Sequence, residues 1–311
     1  MAAAQRHRLA VAGLGKIARD QHLPALARSE AFELAATADP AGGLPEVDHF
    51  DALERLLAER PDVTALSLCT PPQVRYPLAR AALQAGRHLL LEKPPGQTLG
   101  EVEALRALAE AAGVSLFATW HSRFAPAVPR ARDWVAGHRV ERVRIAWKED
   151  VRRWHPGQRW IWQPGGFGVF DPGINALSIL TAVLPRPLRV VSATLEVPEN
   201  CAAPIAARLS MTDDAGVAIE AELDFRQEGP QTWDMAFEGP EGAITLQAGG
   251  SRLSLDPPEG APAMIGEYDA IYRRFAELIG RGESEVDVAP LRLVADAFLV
   301  GRSRPTEAFH D

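Results

Sequence analysis

Apolar positions along the first 120 residues follow two alternating periods. Short continuous apolar runs at 9–13, 32–38, 65–68, 88–91 and 115–118 predict buried strands. Between them, residues 16–28, 53–59, 74–85 and 99–112 carry apolar side chains at helical spacing, with Gly86 and Gly113 as stops. Strands that are apolar throughout and separated by helices imply a parallel sheet covered on both faces. The first part therefore reads as a doubly wound α/β domain.

After Trp120 the pattern changes. A helix is predicted over 127–136. Residues 140–147 then alternate Val and Ile with Glu and Arg, as a half-exposed strand does. Residues 156–168 are rich in Gly, Pro and Trp and read as loop, and 173–183 as helix. Strand-like runs follow at 189–195, 206–210, 217–225, 232–237 and 243–246, with helices at 268–279 and 291–299. Consecutive strands without helices between them imply a largely antiparallel, open sheet in an α+β domain. The boundary is placed near residue 120, giving domains 1–120 and 121–311.

Charge and composition narrow the function classes. Apolar residues make up 47% of the 311, enough for a sizeable core and too many for wholesale disorder. The balance of 33 basic against 41 acidic residues disfavours a general nucleic-acid or anionic-membrane binder. Cys69 and Cys201 stand far apart, so neither a disulfide framework nor a cysteine metal motif is expected. The histidines show no paired H-x-x-x-H spacing, and no metal site is expected. The N-terminal segment has no cleavable apolar region, and no uncharged apolar run reaches about 20 residues. A cytoplasmic protein is expected. Six of the seven tryptophans lie between Trp120 and Trp162, and only Trp233 stands apart.

The first strand runs into Gly13-Leu-Gly15-Lys-Ile-Ala18. There Gly13 suits a tight turn, Gly15 lets a pyrophosphate approach the backbone, and Ala18 keeps helix close to strand. Phosphates would lie on the following helix N-terminus, among Gly13, Gly15, Lys16 and Ile17. An acid, Asp39, ends the second strand 21 residues after Ala18, where a carboxylate accepts from a ribose 2′-hydroxyl and repels a 2′-phosphate. No basic residue follows until Arg55. The domain is expected to be a Rossmann dinucleotide-binding domain that prefers NAD over NADP.

Leu91-Glu-Lys-Pro94, Thr70-Pro-Pro72 and Gly165-Gly-Phe-Gly-Val-Phe-Asp-Pro-Gly-Ile-Asn175 carry a more specific likeness. With them the whole chain resembles the glucose–fructose oxidoreductase/inositol dehydrogenase (Gfo/Idh/MocA) family. The runs 147–157, 160–162 and 170–178 are similar to that family's sugar 1-dehydrogenases, which act on D-galactose or L-arabinose. The resemblance implies that Lys93, Asp171 and Asn175 are catalytic, Asn175 standing where most of the family has histidine. It adds Thr70, Pro71, Glu92 and Lys93 to the cofactor contacts. It also implies that His121, Glu149, Trp154, His155, Asn175 and Trp233 line a sugar pocket.

Chemistry divides the labour among the implied catalytic residues. Oxidising a hydroxyl needs a base, a donor for the developing alkoxide and a dry approach to the nicotinamide. An amide such as Asn175 is no base near neutral pH, and Lys93 as a cation suits the alkoxide. Asp171 is left as the base. A carboxylate suits an anomeric hydroxyl better than an ordinary alcohol, because the ring oxygen acidifies it, so C1 oxidation of an aldose to a lactone is expected. A turn or helix cap before Pro172-Gly173 is the alternative for Asp171, and either Glu149 or Asp150 could face inward. Two rivals stay open, an NAD-dependent glycosidase and a non-catalytic nucleotide-sensing regulator. The uncovered sheet face suggests a homodimer.

Overall fold

The computed structural model describes residues 6–256 and 266–310. The first five residues, part of the N-terminal segment searched for a leader, lie outside the described residues. The chain divides into two compact units, one of residues 6–121 with 266–287, the other of 122–256 with 288–310.

The first unit holds strands β1 (His7–Ala12), β2 (Phe32–Ala38), β3 (Asp48–Phe50), β4 (Ala65–Leu68), β5 (His88–Leu91) and β6 (Leu116–Ala118). They form one parallel sheet in the order β3-β2-β1-β4-β5-β6. A helical turn, Ala18–His22, leads into α1 (Leu23–Arg28), and α2 (Leu53–Glu59), α3 (Pro72–Gln84) and α4 (Leu99–Ala112) follow. Thr98 and Glu101 form a capping box at the start of α4, and Gly113 ends it with φ +66°. Because β1 lies between β2 and β4, the connections leave it in opposite directions. Ligands of such sheets bind at this switch point, outside the carboxyl ends of the strands. The three-residue edge strand β3 has no apolar run to announce it.

The second unit begins with α5 (Val128–Gly137), β7 (Arg142–Lys148), α6 (Val151–Trp154) and α7 (Phe170–Val183). It continues through β8 (Arg189–Pro198), β9 (Ala206–Thr212), β10 (Ala218–Asp224), β11 (Thr232–Gly239), β12 (Gly242–Gln247) and β13 (Arg252–Leu253). Its eight strands are ordered β13-β12-β11-β7-β10-β9-β8-β14, where β14 is Arg302–Thr306. Pairing is antiparallel except between β7 and β10 and between β8 and β14. One face buries Val143, Ile145, Trp147, Ile219, Leu223 and Phe237. The other is charged, with Lys148 bonded to Glu222 at 2.5 Å and Arg226 to Glu196 and Asp224 at 2.8 Å.

The single cut near residue 120 needs correction. Helix α8 (Glu267–Arg281), expected in the second domain, belongs to the first unit, whereas α9 (Ala289–Val300) and β14 belong to the second. Tyr268, Ile271, Tyr272, Phe275 and Leu278 make a buried face on α8. Phe275 stacks on Phe32 at 5.4 Å and on Phe117 at 6.3 Å. Each such side chain stabilises by roughly 1.5–3 kcal/mol when buried. Beyond α8 the chain also completes the edge of β6. Glu285 accepts from the Ala118 N–H at 3.0 Å and donates to the Leu116 carbonyl at 2.9 Å. Helical periodicity reveals that α8 has an apolar face, but not which sheet that face covers.

Candidate active site

Gly13, Asp39 and Thr70 converge at the carboxyl edge of the parallel sheet. Gly13 has φ +87°, and a Cβ there would stand 2.9 Å from the Thr70 nitrogen, so only glycine fits between the two loops. Nothing lies within 4 Å of where a Cβ of Gly15 would be, which leaves that backbone approachable. Ala18 is fully buried, as close helix–strand packing requires. Lys16 is exposed and paired with Asp20. The Asp39 carboxylate accepts from the Leu14 N–H at 2.6 Å and from the Ala41 N–H at 2.8 Å. It thereby ties the loop after β2 to the glycine loop after β1.

Lys93 follows β5 on a turn that is braced from several directions, with a cis peptide to Pro94. Buried Arg75, on α3, donates to the carbonyls of Thr70, Glu92 and Pro94. Glu92, expected among the cofactor contacts, is enclosed at 3% exposure. Its carboxylate accepts from the Tyr268 hydroxyl at 2.7 Å, from His22 Nε2 at 3.0 Å and from the Lys93 N–H at 2.9 Å. Burial favours the neutral acid, but His22, His121 and Tyr268 overcome it and hold the Glu92 pKa at about 2. Burial likewise opposes an imidazolium at His22, yet Cys69, Tyr272 and Glu92 raise its pKa well above the ordinary 6.5. His121, expected in the sugar pocket, stands in this first unit, bonded to Glu267 at 2.8 Å and stacked on Tyr268.

In the second unit a row of polar side chains is assembled from the segments flanking α6, from α7 and from β11. Gly168, at φ +52°, packs so closely on Pro204 that a Cβ would meet its carbonyl oxygen at 2.2 Å. This turn starts α7 at Phe170, three residues before the predicted start, because proline is tolerated in a first helical turn. Asp171 thus lies inside the helix, 4% exposed, one turn before Asn175 and on the same face. Its Oδ2 is 3.6 Å from His155 Nδ1. His155 Nε2 lies 2.9 Å from Glu149 Oε1, and Glu149 Oε2 accepts from the Trp233 indole N–H at 2.8 Å. Glu149 therefore points inward, whereas Asp150 caps α6 through the Arg152 N–H at 3.0 Å.

The stretch 7–119 matches the family model described as "Oxidoreductase family, NAD-binding Rossmann fold". A galactose 1-dehydrogenase from Pseudomonas fluorescens is 49% identical over 304 residues, covering 98% of this chain and 99% of that protein. The chain belongs to the Gfo/Idh/MocA oxidoreductase family. The D-galactose-1-dehydrogenase protein from Rhizobium etli has a similar structure, with a TM-score of 0.93 at 52% identity over 98% of both chains. A 3-ketoreductase from Actinomadura kijaniata, solved with NADP and TDP-benzene, has a TM-score of 0.81 over 97% of this chain and 100% of that one. At 20% identity it shows the fold alone.

The loops of this Gfo/Idh/MocA chain fit the dinucleotide that the family binds. Buried Thr70 Oγ1 has no hydrogen-bond partner among the described residues, at the same edge as the approachable Gly15 backbone. Gly13, Gly15, Lys16, Ile17, Thr70 and Pro71 would hold the phosphates and nicotinamide end, and Asp39 the ribose. The tryptophan cluster separates by role. Trp120 is buried and donates to the Asp287 carbonyl at 3.0 Å, Trp134 stacks on His138, and Trp162 packs on Phe225. Trp154 meets Trp233 edge-on at 5.2 Å, and both line a cavity of about 380 Å³ with Arg153, Gln231, Asp234 and Arg252. Sequence reasoning missed His22, Tyr268 and Tyr272, because His22 and Glu92 are separated by 70 residues and no local spacing links them.

Proposed function

We propose that this oxidoreductase is an NAD-dependent aldose 1-dehydrogenase that oxidises D-galactose, and also L-arabinose, at C1 to the aldonolactone. The observation that carries this reading is the row Asp171, His155, Glu149 and Trp233, with Asn175 one turn beyond Asp171. Identity along the whole chain to two galactose 1-dehydrogenases supports it. Asp171 takes the proton of the anomeric hydroxyl, whose acidity suits a carboxylate base. Asn175 orients that hydroxyl by donating and accepting, and Lys93 stabilises the developing alkoxide. Glu149 and His155 hold ring hydroxyls, and Trp154 and Trp233 offer aromatic surface to the apolar face of the sugar. A bound nicotinamide supplies the hydride acceptor. Asp39 favours NAD, since a 2′-phosphate would meet its carboxylate. D-Galactose and L-arabinose share configuration at C2, C3 and C4, so one pocket accepts both.

Absorbance of NADH over a panel of aldoses tests the reading. Steady NADH formation with lactone product is expected for galactose and arabinose, and faster with NAD than with NADP. Hydrolysis of a galactoside without net NADH, or binding without turnover, would replace it with a glycosidase or a sensor. We also propose a homodimer through the charged open face of the second sheet. Light scattering should then give twice the 33.7 kDa chain mass.

A further inference from the structure

The buried polar cluster behind Lys93 is more elaborate than a strand end requires. His22 is 0% exposed, and its ring is bonded through both nitrogens, Nε2 to Glu92 at 3.0 Å and Nδ1 to the Tyr272 hydroxyl at 2.7 Å. Tyr272 in turn lies 3.0 Å from Ser67 Oγ on β4. Tyr268, one turn earlier on α8, reaches the Glu92 oxygen that His22 also holds. The other Glu92 oxygen accepts from the Lys93 backbone N–H. Burying a carboxylate and an imidazole together is costly, and apolar residues of similar volume would often stabilise as well or better. Stability alone is therefore a weak explanation for this cluster.

Position supplies a better one. The cluster ends on the main chain of Lys93, while Arg75 holds the carbonyls on either side of it. The charge arrangement points the same way. A carboxylate one residue from Lys93 would draw the ammonium back onto itself, unless a nearer cation neutralised it. His22 Nε2, 3.0 Å from Glu92 Oε1, is placed to be that cation. We infer that His22 and Tyr268 are positioning residues, which act through Glu92 to fix the Lys93 turn and keep the Lys93 ammonium directed away from its neighbouring carboxylate. This rests on the proposed role of Lys93, but the arrangement itself is measurable without turnover.

The chain has only three lysines, Lys16, Lys93 and Lys148. Reductive methylation with ¹³C-formaldehyde therefore gives three lysine signals by NMR, and Lys93→Met identifies the one from Lys93. In the full chain, Tyr268→Phe and His22→Gln are each expected to shift the Lys93 methyl resonance at fixed pH. The Lys16 and Lys148 signals should stay in place. An unmoved Lys93 signal, or equal movement of all three, would overturn the inference. If His22→Gln does not fold, Tyr268→Phe, which removes one oxygen, decides alone.

Kinetics then separates this inference from the reading beneath it. With galactose and NAD, Tyr268→Phe should lower kcat roughly 3–10-fold while both KM values stay within about twofold. In a Lys93→Met background the same substitution should change residual turnover less than about twofold. Equal losses in both backgrounds would mean that Tyr268 acts independently of Lys93, and would overturn the positioning role alone. Wild-type kcat in Lys93→Met by itself would instead remove Lys93 from the proposed chemistry.

Discussion

Two of the imidazole–carboxylate contacts among the described residues stand in contrasting settings. In the first unit His22 and Glu92 are sealed, at 0% and 3% exposure, and tyrosine hydroxyls complete the shell. In the second, His155 keeps 14% exposure and stands between two carboxylates, Glu149 at 2.9 Å and Asp171 at 3.6 Å. The neighbours of the sealed pair lower the Glu92 pKa and raise that of His22, an enclosure that suits setting geometry. The partly open pair sits at the start of a loop beside a residue proposed to take a proton. Enclosure, more than residue identity, separates an anchor from a reactive group.

The largest expected effects test the reactive side. Asp171→Asn should lower kcat by about 10²–10⁴-fold, the range for losing a general base. Lys93→Met should cost roughly 10²–10³-fold, the scale for one oxyanion-type donor. Single-turnover NADH formation measures both. If Asp171→Asn retained most activity while His155→Gln lost it, the base would be the imidazole and the assignment within the row would be reversed.

Next comes the sealed side, where stability is expected to respond most. Glu92→Gln leaves an imidazolium buried without its counter-charge and should destabilise the first unit by about 3–5 kcal/mol in urea unfolding. Glu149→Gln, in the more open setting, should destabilise less and act mainly on sugar KM. Equal unfolding penalties for the two would show that enclosure does not distinguish the pairs.

The pH dependence of stability sharpens the contrast. The folded pKa of Glu92, about 2, lies below its ordinary 4.5, so its contribution is present above pH 4.5 and lost as pH falls towards 2. The folded pKa of His22 is raised above its ordinary 6.5, so its contribution is complete below pH 6.5 and lost as pH rises through the folded value. Melting temperatures should show the pair contributing fully between pH 4.5 and 6.5. The difference between wild type and His22→Gln should shrink above that window. A difference that grows with pH there would mean that His22 is buried neutral.

Much of this contrast was legible in one half of the sequence and little of it in the other. The bounds of β2, α2, β4, β5 and α4 follow from apolar runs and helix stops, because each is a local pattern. Helix α7 is harder to read. Pro172-Gly173 reads as a turn, yet α7 begins before it, held by the Gly168–Pro204 contact across 36 residues. In the site, Glu149 and Asp150 are adjacent, and only the strand register against β11 shows which one meets Trp233. The His22–Glu92–Tyr268 cluster was invisible for the same reason as the placement of α8. Its members come from three distant segments, and what unites them is tertiary packing.

The smallest effects come from the tryptophans, where the two rings of one edge-on pair have different partners. The Trp233 indole donates to the carboxylate of Glu149 at 2.8 Å, and the Trp154 indole to the amide oxygen of Gln231 at 3.3 Å. A hydrogen bond to a charged group contributes about 1.5–3 kcal/mol, and a neutral one roughly 0.5–1.5 kcal/mol. Phenylalanine keeps ring surface at either position and removes only the donor. Trp233→Phe should therefore raise sugar KM about 5–20-fold by freeing Glu149 to turn from His155, with kcat changed less than about threefold. Trp154→Phe should raise KM by no more than about threefold. Initial rates over a galactose series measure both. Equal KM shifts at the two positions would mean that the rings act only as bulk, and that Glu149 is held by His155 alone.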